Sequence, residues 1–255
     1  MTNQYEERLG TAPMLPLVFK MALPAVAAQL VNLLYNIIDR VYIGHIPHIG
    51  TDALAGVGVT TSIVILVSAF SSIVGAGGAP LAAISLGQGN RQRAGEILGN
   101  GFVLLICFTL IIMLGTYSFM KPILLVTGAS ENTLPFAVDY LSVYLLGTFF
   151  VQVSTGLNTF ISAQGRPSIA MWSVLIGAFL NLILDPIFIF AFGMGVKGAA
   201  VATVISQACS AIWILRFLTS REASLPLQKC FMHCRKEIIF SVIGLGLSPF
   251  VMAST

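Results

Sequence analysis

Residues 53–90 contain no Asp, Glu, Lys or Arg, and this uncharged run constrains the fold more than any other feature of the sequence. A helix of about 20 apolar residues is enough to cross the hydrocarbon core of a bilayer. The rest of the chain has the same character, since 56% of its 255 residues are hydrophobic and only 9% are charged. A soluble domain carries about 25% charged residues. The sequence therefore predicts an integral membrane protein with several spanning helices.

Apolar windows predict six transmembrane helices and the start of a seventh. Charged or Gly/Pro-rich breaks separate the windows, and the seventh apolar segment begins near residue 238. Such long apolar segments, punctuated in this way, are typical of membrane helices. The predicted fold class is an all-α integral membrane protein. We number the first six predicted helices in chain order: 15–44, 54–86, 97–119, 134–163, 168–192 and 197–218.

The distribution of Lys and Arg predicts the orientation of these helices. Cytoplasmic loops of membrane proteins carry an excess of basic residues. Of the 13 basic residues, only Arg40, Lys121 and Lys197 lie on one set of alternate breaks. We therefore expect a multi-pass protein of the cell membrane, with a cytoplasmic amino terminus and no cleaved signal peptide. The other set holds Arg8, Lys20, Arg91, Arg93, Arg166, Arg216, Arg221, Lys229, Arg235 and Lys236.

The seventh apolar segment is similar to the first. Aligning Pro249 with Pro24 places "FSVIGLGLSPFVMAS" over "LPLVFKMALPAVAAQ", and both segments follow a basic break. Six helices return the chain to its starting side, so a second copy would be a parallel repeat, as in many transporters. We expect one half of a two-lobe transporter, truncated in the second lobe. Its predicted parts are a six-helix lobe (1–220), a cytoplasmic inter-lobe linker (221–237) and a truncated first helix of the second lobe (238–255).

Narrow polar lines run along predicted helices 1, 4 and 6, at spacings of three and four residues that place each line on one helix face. Hydroxyls and amides in membrane helices can simply hold helices together through hydrogen bonds. Because three helices carry such lines, we favour a hydrated central cavity. The predicted lining residues are Gln29, Asn32 and Asn36 of helix 1, Gln152, Thr155 and Thr159 of helix 4, and Ser206 and Gln207 of helix 6.

Counting from the helix ends places two carboxylates and a hydroxyl at one depth. Asp39 and Thr203 lie about five or six residues from the ends of their helices, or about 8 Å. Asp185 lies about seven residues from the end of helix 5, or about 10 Å. Asn181 is one turn away from Asp185 on the same face. The three helices therefore bring these oxygen-bearing side chains together.

Pro186 adds a further oxygen to this cluster. Proline has no amide hydrogen, so the helical partner of the Leu182 carbonyl is missing. Burial and a second carboxylate both favour proton uptake by a carboxylate pair. Alternatively, the oxygens could hold a hard cation, for which we consider Na⁺. Both possibilities make the cluster a coupling site for an ion gradient, whereas the alternative is a hydrogen-bonded aspartate that only seals helix packing.

The sequence resembles the multidrug and toxic compound extrusion (MATE) transporters over nearly its whole length. The resemblance implies the amino-terminal lobe of a protein with about twelve helices, in which two lobes face each other across a drug cavity. It also implies antiport, in which amphipathic or cationic compounds leave the cell in exchange for H⁺ or Na⁺. It implies no cofactor. The residues that carry it are "LPAVAAQLVNLLYNIIDRVYIG" (23–44), "GQGNRQRAGEILGNG" (87–101), "FISAQGRPSIAMW" (160–172), "LNLILDPIFIF" (180–190) and "GVKGAAVATVIS" (195–206).

The same resemblance implies roles for particular residues. The cation site of such a lobe falls on Asp39, Asn181, Asp185 and Thr203, with Tyr35 as a neighbour. Pro24 matches a proline at which the first helix bends. The expected partners are small-molecule substrates, the lipid bilayer and the missing second lobe, and we expect no nucleic acid.

Three alternatives to this function remain open at this stage. A lipid-linked precursor flippase of the same superfamily would prefer basic residues in the cavity, and no Lys or Arg lies within the polar lines. An intramembrane enzyme would need a Gly-x-Ser-x-Gly, His-Glu-x-x-His or paired Asp-rich motif, and none occurs in the sequence. The third alternative is a membrane fragment that does not transport. We therefore expect a transporter rather than an enzyme.

Overall fold

The computed structural model describes residues 14–254, so the part of the orientation prediction that depends on Arg8 lies outside the described residues. Within that range the chain is almost entirely helical and has no strand. This confirms the predicted all-α membrane class. The α-helices are α1 Met14–Gly44, α2 Gly50–Gly87, α3 Arg91–Ser118, α4 Met120–Val126, α5 Leu134–Leu146, α6 Thr148–Ala163, α7 Pro167–Pro186, α8 Val196–Leu218 and α9 Lys236–Ser254.

The predicted number of spanning segments agrees with the helices. Among the described residues, five helices are long and apolar enough to cross a membrane, and the number is six when α5 and α6 count as one bent span. The chain is a multi-pass membrane protein. One end of the bundle carries the short connections after α2 and α6 and the longer connection after α8. We call it the basic end, because Arg91, Arg166 and Arg235 lie there. Asp39 lies towards the opposite end.

The fourth predicted helix is broken, which corrects the expectation of one continuous span over 134–163. α5 and α6 meet at Gly147 with a bend of 60°. Val204 of α8 packs so closely against Gly147 that a Cβ there would overlap its side chain. A bend at this residue therefore lets α8 approach the backbone, which a longer side chain would prevent.

α3 begins earlier than the predicted boundary of residue 97. Asn90 caps the helix by accepting a hydrogen bond from the backbone N–H of Arg93 at 3.0 Å. An asparagine at this position stabilises a helix start because it satisfies one of the free N–H groups of the first turn. Residues 91–96, which the predicted boundaries leave in the break between two helices, are therefore the first turns of α3.

α2 and α9 cross at very close range. A Cβ on Gly77 would overlap the backbone carbonyl of Val242, and a Cβ on Gly246 would overlap the backbone of Ile73. Small residues at such a crossing let two membrane helices pack backbone against backbone. The segment that we expected to open a second lobe thus packs directly on α2.

α1 is the least enclosed of the spanning helices. Only 6% of its most apolar window is buried, compared with 39% for α2 and 50% for α3. Its contacts are mainly with α7, and α1 runs through Pro24 without a break. Among the spanning helices of the described residues, α1 is therefore the one whose displacement would disturb the fewest contacts.

Candidate functional site

Two carboxyl groups from different helices lie side by side inside the bundle. Asp185 of α7 is fully buried, and Asp39 of α1 interacts with it through its side chain. Oδ1 of Asp39 and Oδ2 of Asp185 are buried and have no hydrogen-bond partner among the described residues. A buried polar atom without a partner costs free energy unless something satisfies it. Each carboxyl therefore has an oxygen available for a proton or a cation.

The amide of Asn181 joins the carboxyl pair to α8. Its Nδ2 donates to Oδ1 of Asp185 at 3.2 Å and lies 3.4 Å from Oγ1 of Thr203. Asn181 is 2% exposed, so these contacts are largely hidden from solvent. The depth count placed Asp39, Asp185 and Thr203 at one level with Asn181 one turn away, and the structure brings these four side chains together.

The local sequence of α7 explains this arrangement. Asn181 and Asp185 are one turn apart, so they share the face that is packed against α8. α7 ends at Pro186, and a π-helical turn, Ile187–Ala191, continues the chain towards α8. A proline lacks the N–H that would continue the regular pattern. The change of helix type therefore comes directly after the buried carboxylate.

Tyr140 of α5 completes the cluster and was missed by the sequence reasoning. Its hydroxyl interacts with Thr203, and the residue is 6% exposed. Tyr35 of α1, which was predicted as a neighbour, lies close to Asp39 and Asp185. No periodic signal marks Tyr140, because it comes from the short helix on the far side of the bend at Gly147.

A cavity of about 240 Å³ lies between α1, α6, α7 and α8, beside this cluster. None of the side chains that line it is charged, and all but Val174, Gly177 and Ala178 are polar or carry a hydroxyl. Neutral dipoles of this kind can hydrogen-bond many ligands or water without fixing one charge. The polar lining residues are Gln29, Asn32, Tyr35, Ser154, Thr155, Asn158, Thr159, Ser162, Ser173, Asn181, Thr203, Ser206, Gln207 and Ser210.

Most of the predicted lining residues lie at this cavity, but two do not. Gln29, Asn32, Thr155, Thr159, Ser206 and Gln207 line it. Asn36 is instead exposed and donates its amide to the carbonyl of Asn32 at 2.7 Å. Gln152 is fully buried, where it accepts from Ser71 Oγ at 2.7 Å and donates to the Val67 carbonyl at 3.3 Å. The prediction for Gln152 is corrected, because this amide holds α6 against α2.

Replacing Gln152 with leucine is expected to lower stability without changing ligand binding. The substitution removes hydrogen bonds between membrane helices, which contribute about 0.6 kcal/mol each on average. Gln207→Leu is the matched comparison, because Gln207 lines the cavity and accepts from Ser154 at 2.6 Å. Thermal unfolding in detergent and equilibrium binding of an organic cation would separate the two effects. Weaker binding in Gln152→Leu would contradict this assignment.

The sequence did contain a signal for part of the cavity that was not used. Ser173, Gly177, Asn181 and Asp185 follow one another at intervals of four, so they form a continuous line along α7. This line faces Ser210, whose Oγ donates to the Ser173 carbonyl at 2.8 Å. The polar face of α7 therefore extends from the carboxyl pair towards the basic end.

The family model MatE matches residues 24–187. The chain belongs to the MatE family. This match runs from Pro24 of α1 to the end of α7 and includes the carboxyl pair, but it stops before α8, which contributes Thr203.

Individual relatives of this MatE chain support the assignment. The multidrug export protein MepA of Staphylococcus haemolyticus (strain JCSC1435) is 27% identical over 231 residues, which is 91% of this chain and 51% of the relative. MepA of Staphylococcus aureus (strain MSSA476) is 25% identical over 242 residues, or 95% of this chain and 53% of the relative. The chain therefore spans about half the length of the curated relatives that it matches.

A solved structure has the same fold. An outward-facing multidrug resistance MATE family transporter of the MOP superfamily superimposes with a TM-score of 0.86 at 23% identity. The alignment covers 93% of this chain and 52% of that structure. This coverage agrees with the predicted fold class, an all-α membrane lobe that corresponds to about half of a two-lobe MatE transporter. Members of the family are transporters, so the intramembrane-enzyme alternative is excluded.

Proposed function

We propose that this chain is the amino-terminal half of a secondary antiporter that exports amphipathic or cationic compounds in exchange for H⁺ or Na⁺. The observation that carries the proposal is the buried pair of Asp39 and Asp185, each with an unpartnered oxygen, beside a neutral polar cavity. Buried ionisable groups in membrane helices are costly and usually mark ion or substrate pathways. The relatives that are named multidrug export proteins support the same direction of transport.

The coupling ion acts in this proposal by removing repulsion between α1 and α7. Two unit charges about 4 Å apart repel by about 4 kcal/mol at an effective dielectric constant of about 20. A proton on one carboxyl or a Na⁺ between the two removes this repulsion and lets α1 approach α7. Thr203 supplies a further oxygen to a bound Na⁺. Asn181 turns its Nδ2 towards Asp185 in the structure, so in this proposal its amide rotates to offer Oδ1 to the ion. Arg40 is a positive charge that acts on Asp39 from the exposed side.

Movement of α1 connects the ion to the substrate. α1 carries Asp39 at the carboxyl pair and Gln29, Asn32 and Tyr35 in the cavity wall. Because α1 packs mainly on α7 and makes few contacts with the other helices, a change in the repulsion between Asp39 and Asp185 can shift it at low cost. Pro24 and Pro186 are the proposed bend points, since proline removes a helical hydrogen bond. Ion binding thus changes the shape of the cavity.

The neutral lining does not favour the flippase alternative. A lipid-linked pyrophosphate is strongly anionic and would be held best by Arg or Lys. The cavity side chains include neither. We also propose that the protein lies in the plasma membrane with its basic end facing the cytoplasm.

A transport assay with separated gradients tests the proposal. The full-length reading frame that includes this lobe would be reconstituted in liposomes and loaded with a fluorescent organic cation. Export driven by a proton gradient without Na⁺ indicates H⁺ coupling, and export driven only by a Na⁺ gradient indicates Na⁺ coupling. Failure of both gradients to drive export, with a correctly folded protein, would overturn the proposal. The 255-residue chain alone is expected to bind the cation but not to export it.

A further inference from the structure

The segment between α8 and α9, residues 219–235, folds back onto the basic end. The backbone N–H of Leu225 donates to Oε1 of Gln164 at 3.0 Å, and Leu225 is only 1% exposed. The N–H of Leu227 donates to the carbonyl of Leu218 at 2.7 Å. Ala223 and Leu225 belong to the buried core of this end. The first part of this connecting segment is therefore part of the folded lobe.

A second contact is made by Phe231 on the first turns of α3. A Cβ on Gly95 would overlap the Phe231 ring, and a Cβ on Gly99 would overlap its backbone carbonyl. Gly95 and Gly99 are one turn apart, so both lie on one face of α3. This face is flat enough for the connecting segment to lie directly against the helix backbone.

The third contact is a hydrogen-bonded ion pair at the end of the connecting segment. Arg235 Nη1 lies 3.0 Å from Oε2 of Glu96, whose side chain is 10% exposed. Oδ1 of Asn100 accepts from the backbone N–H of Arg235 at 2.8 Å, and its Nδ2 donates to the Glu96 carbonyl at 2.8 Å. Gln92 donates to the other Glu96 oxygen at 3.3 Å. The Arg235 side chain is 59% exposed, so the buried member of the pair is Glu96. Both of its carboxylate oxygens have a partner, which a buried charge requires.

We infer that residues 92–100 of α3 form a latch that binds the connecting segment and holds the start of α9 in place. α9 begins at Lys236, directly after the latched Arg235, so the position of the latch sets the position of that helix. The "GQGNRQRAGEILGNG" motif supplies the two glycines, Glu96 and Asn100. Its role is then to bind the chain's own downstream segment. The latch does not depend on transport, so it can be tested in the absence of a gradient.

The native cysteines provide a direct test. Cys234 is exposed and adjacent to Arg235, so a nitroxide label there reports the motion of the connecting segment. In the 255-residue chain, Cys107, Cys209 and Cys230 would be replaced by alanine, and the label would be attached to Cys234. The electron paramagnetic resonance spectrum in liposomes is expected to show slow motion. Asn100→Ala and Glu96→Gln are each expected to make the label fast-moving.

Limited trypsin digestion gives a second measurement on the same variants. Loss of one hydrogen bond to a charged or buried group raises the open population about tenfold or more. Cleavage after Lys229 is therefore expected to accelerate about tenfold in Asn100→Ala. Circular dichroism and size-exclusion chromatography would show that the helical bundle itself remains folded.

Glu222→Gln is the matched control. It also removes a carboxylate that pairs across this end, but the Arg166–Glu222 distance is 3.7 Å and the Glu222 side chain is 76% exposed. Exposed pairs contribute little to stability. The control should leave the spectrum and the cleavage rate unchanged. A label that moves equally fast in the parent and in Asn100→Ala, or an equal response to Glu222→Gln, would overturn the inference.

Discussion

Replacing Asp185 with asparagine is expected to abolish ion-driven export by the proposed two-lobe transporter while leaving membrane insertion intact. Asparagine is nearly the same size and can keep a hydrogen bond to Asn181, but it cannot take up a proton or neutralise a cation. Coupling free energies between two sites are typically worth a 5- to 150-fold change in affinity. The loss of Asp185 should therefore remove the gradient-driven part of efflux and leave only the uncoupled background, a fall of about 10- to 100-fold. Efflux from reconstituted liposomes would measure it.

Asp139→Asn is the control for this experiment. Asp139 also lies on a membrane helix, but it is partly exposed and pairs with Lys197 at 3.2 Å. Its replacement should leave efflux close to that of the parent. Asp39→Asn should behave like Asp185→Asn, because the two carboxyls share one site. Undiminished export by Asp185→Asn would remove the carboxyl pair from the mechanism.

Replacing Gly77 with alanine is expected to destabilise the chain through the crossing of α2 and α9. The new Cβ would overlap the Val242 carbonyl and the backbone of Gly246, so the helices must move apart. Overpacking of this kind costs about 1–3 kcal/mol. For a chain of this size that corresponds to a fall of about 2–4 °C in the unfolding midpoint per kcal/mol. Thermal unfolding in detergent would measure the change.

Gly58→Ala is the control that separates overpacking at the crossing of α2 and α9 from the general effect of alanine on helix stability. Gly58 lies in the same helix, and a Cβ there would meet no atom within 4 Å. Alanine is favoured over glycine by about 1 kcal/mol in a helix interior. Gly58→Ala should therefore be neutral or slightly stabilising. Equal midpoints for the two variants would show that α9 does not need the close approach.

The sequence predicted the elements that depend on composition and period. Long uncharged runs predicted the number of membrane helices, because the bilayer excludes charge along a whole span. Counting by rise per residue was enough to place Asp39, Asp185 and Thr203 at one depth, since each lies near the end of a regular helix. The role of these residues in coupling stays a prediction.

Features that depend on a particular neighbour could not be predicted in this way. The bend at Gly147 lies where Val204 approaches from another helix, and no local pattern encodes that approach. Gln152 lies on a polar line, but the spacing of that line does not predict whether its amide faces the cavity or bonds to Ser71. The latch on α3 joins Asn100 to Arg235 across 135 residues, so no local window contains both partners.

The cavity lining is neutral, so the charges that attract a cationic ligand are those of the carboxyl pair, which lies beyond Asn181 and Thr203. While those carboxyls carry negative charge, a cation in the cavity is stabilised. Once a proton or Na⁺ neutralises them, that stabilisation falls. Binding free energies are reciprocal, so in the proposed mechanism a bound organic cation weakens the affinity for the coupling ion by the same factor. Electrically neutral compounds would escape this competition, and their export would depend on the change in cavity shape alone.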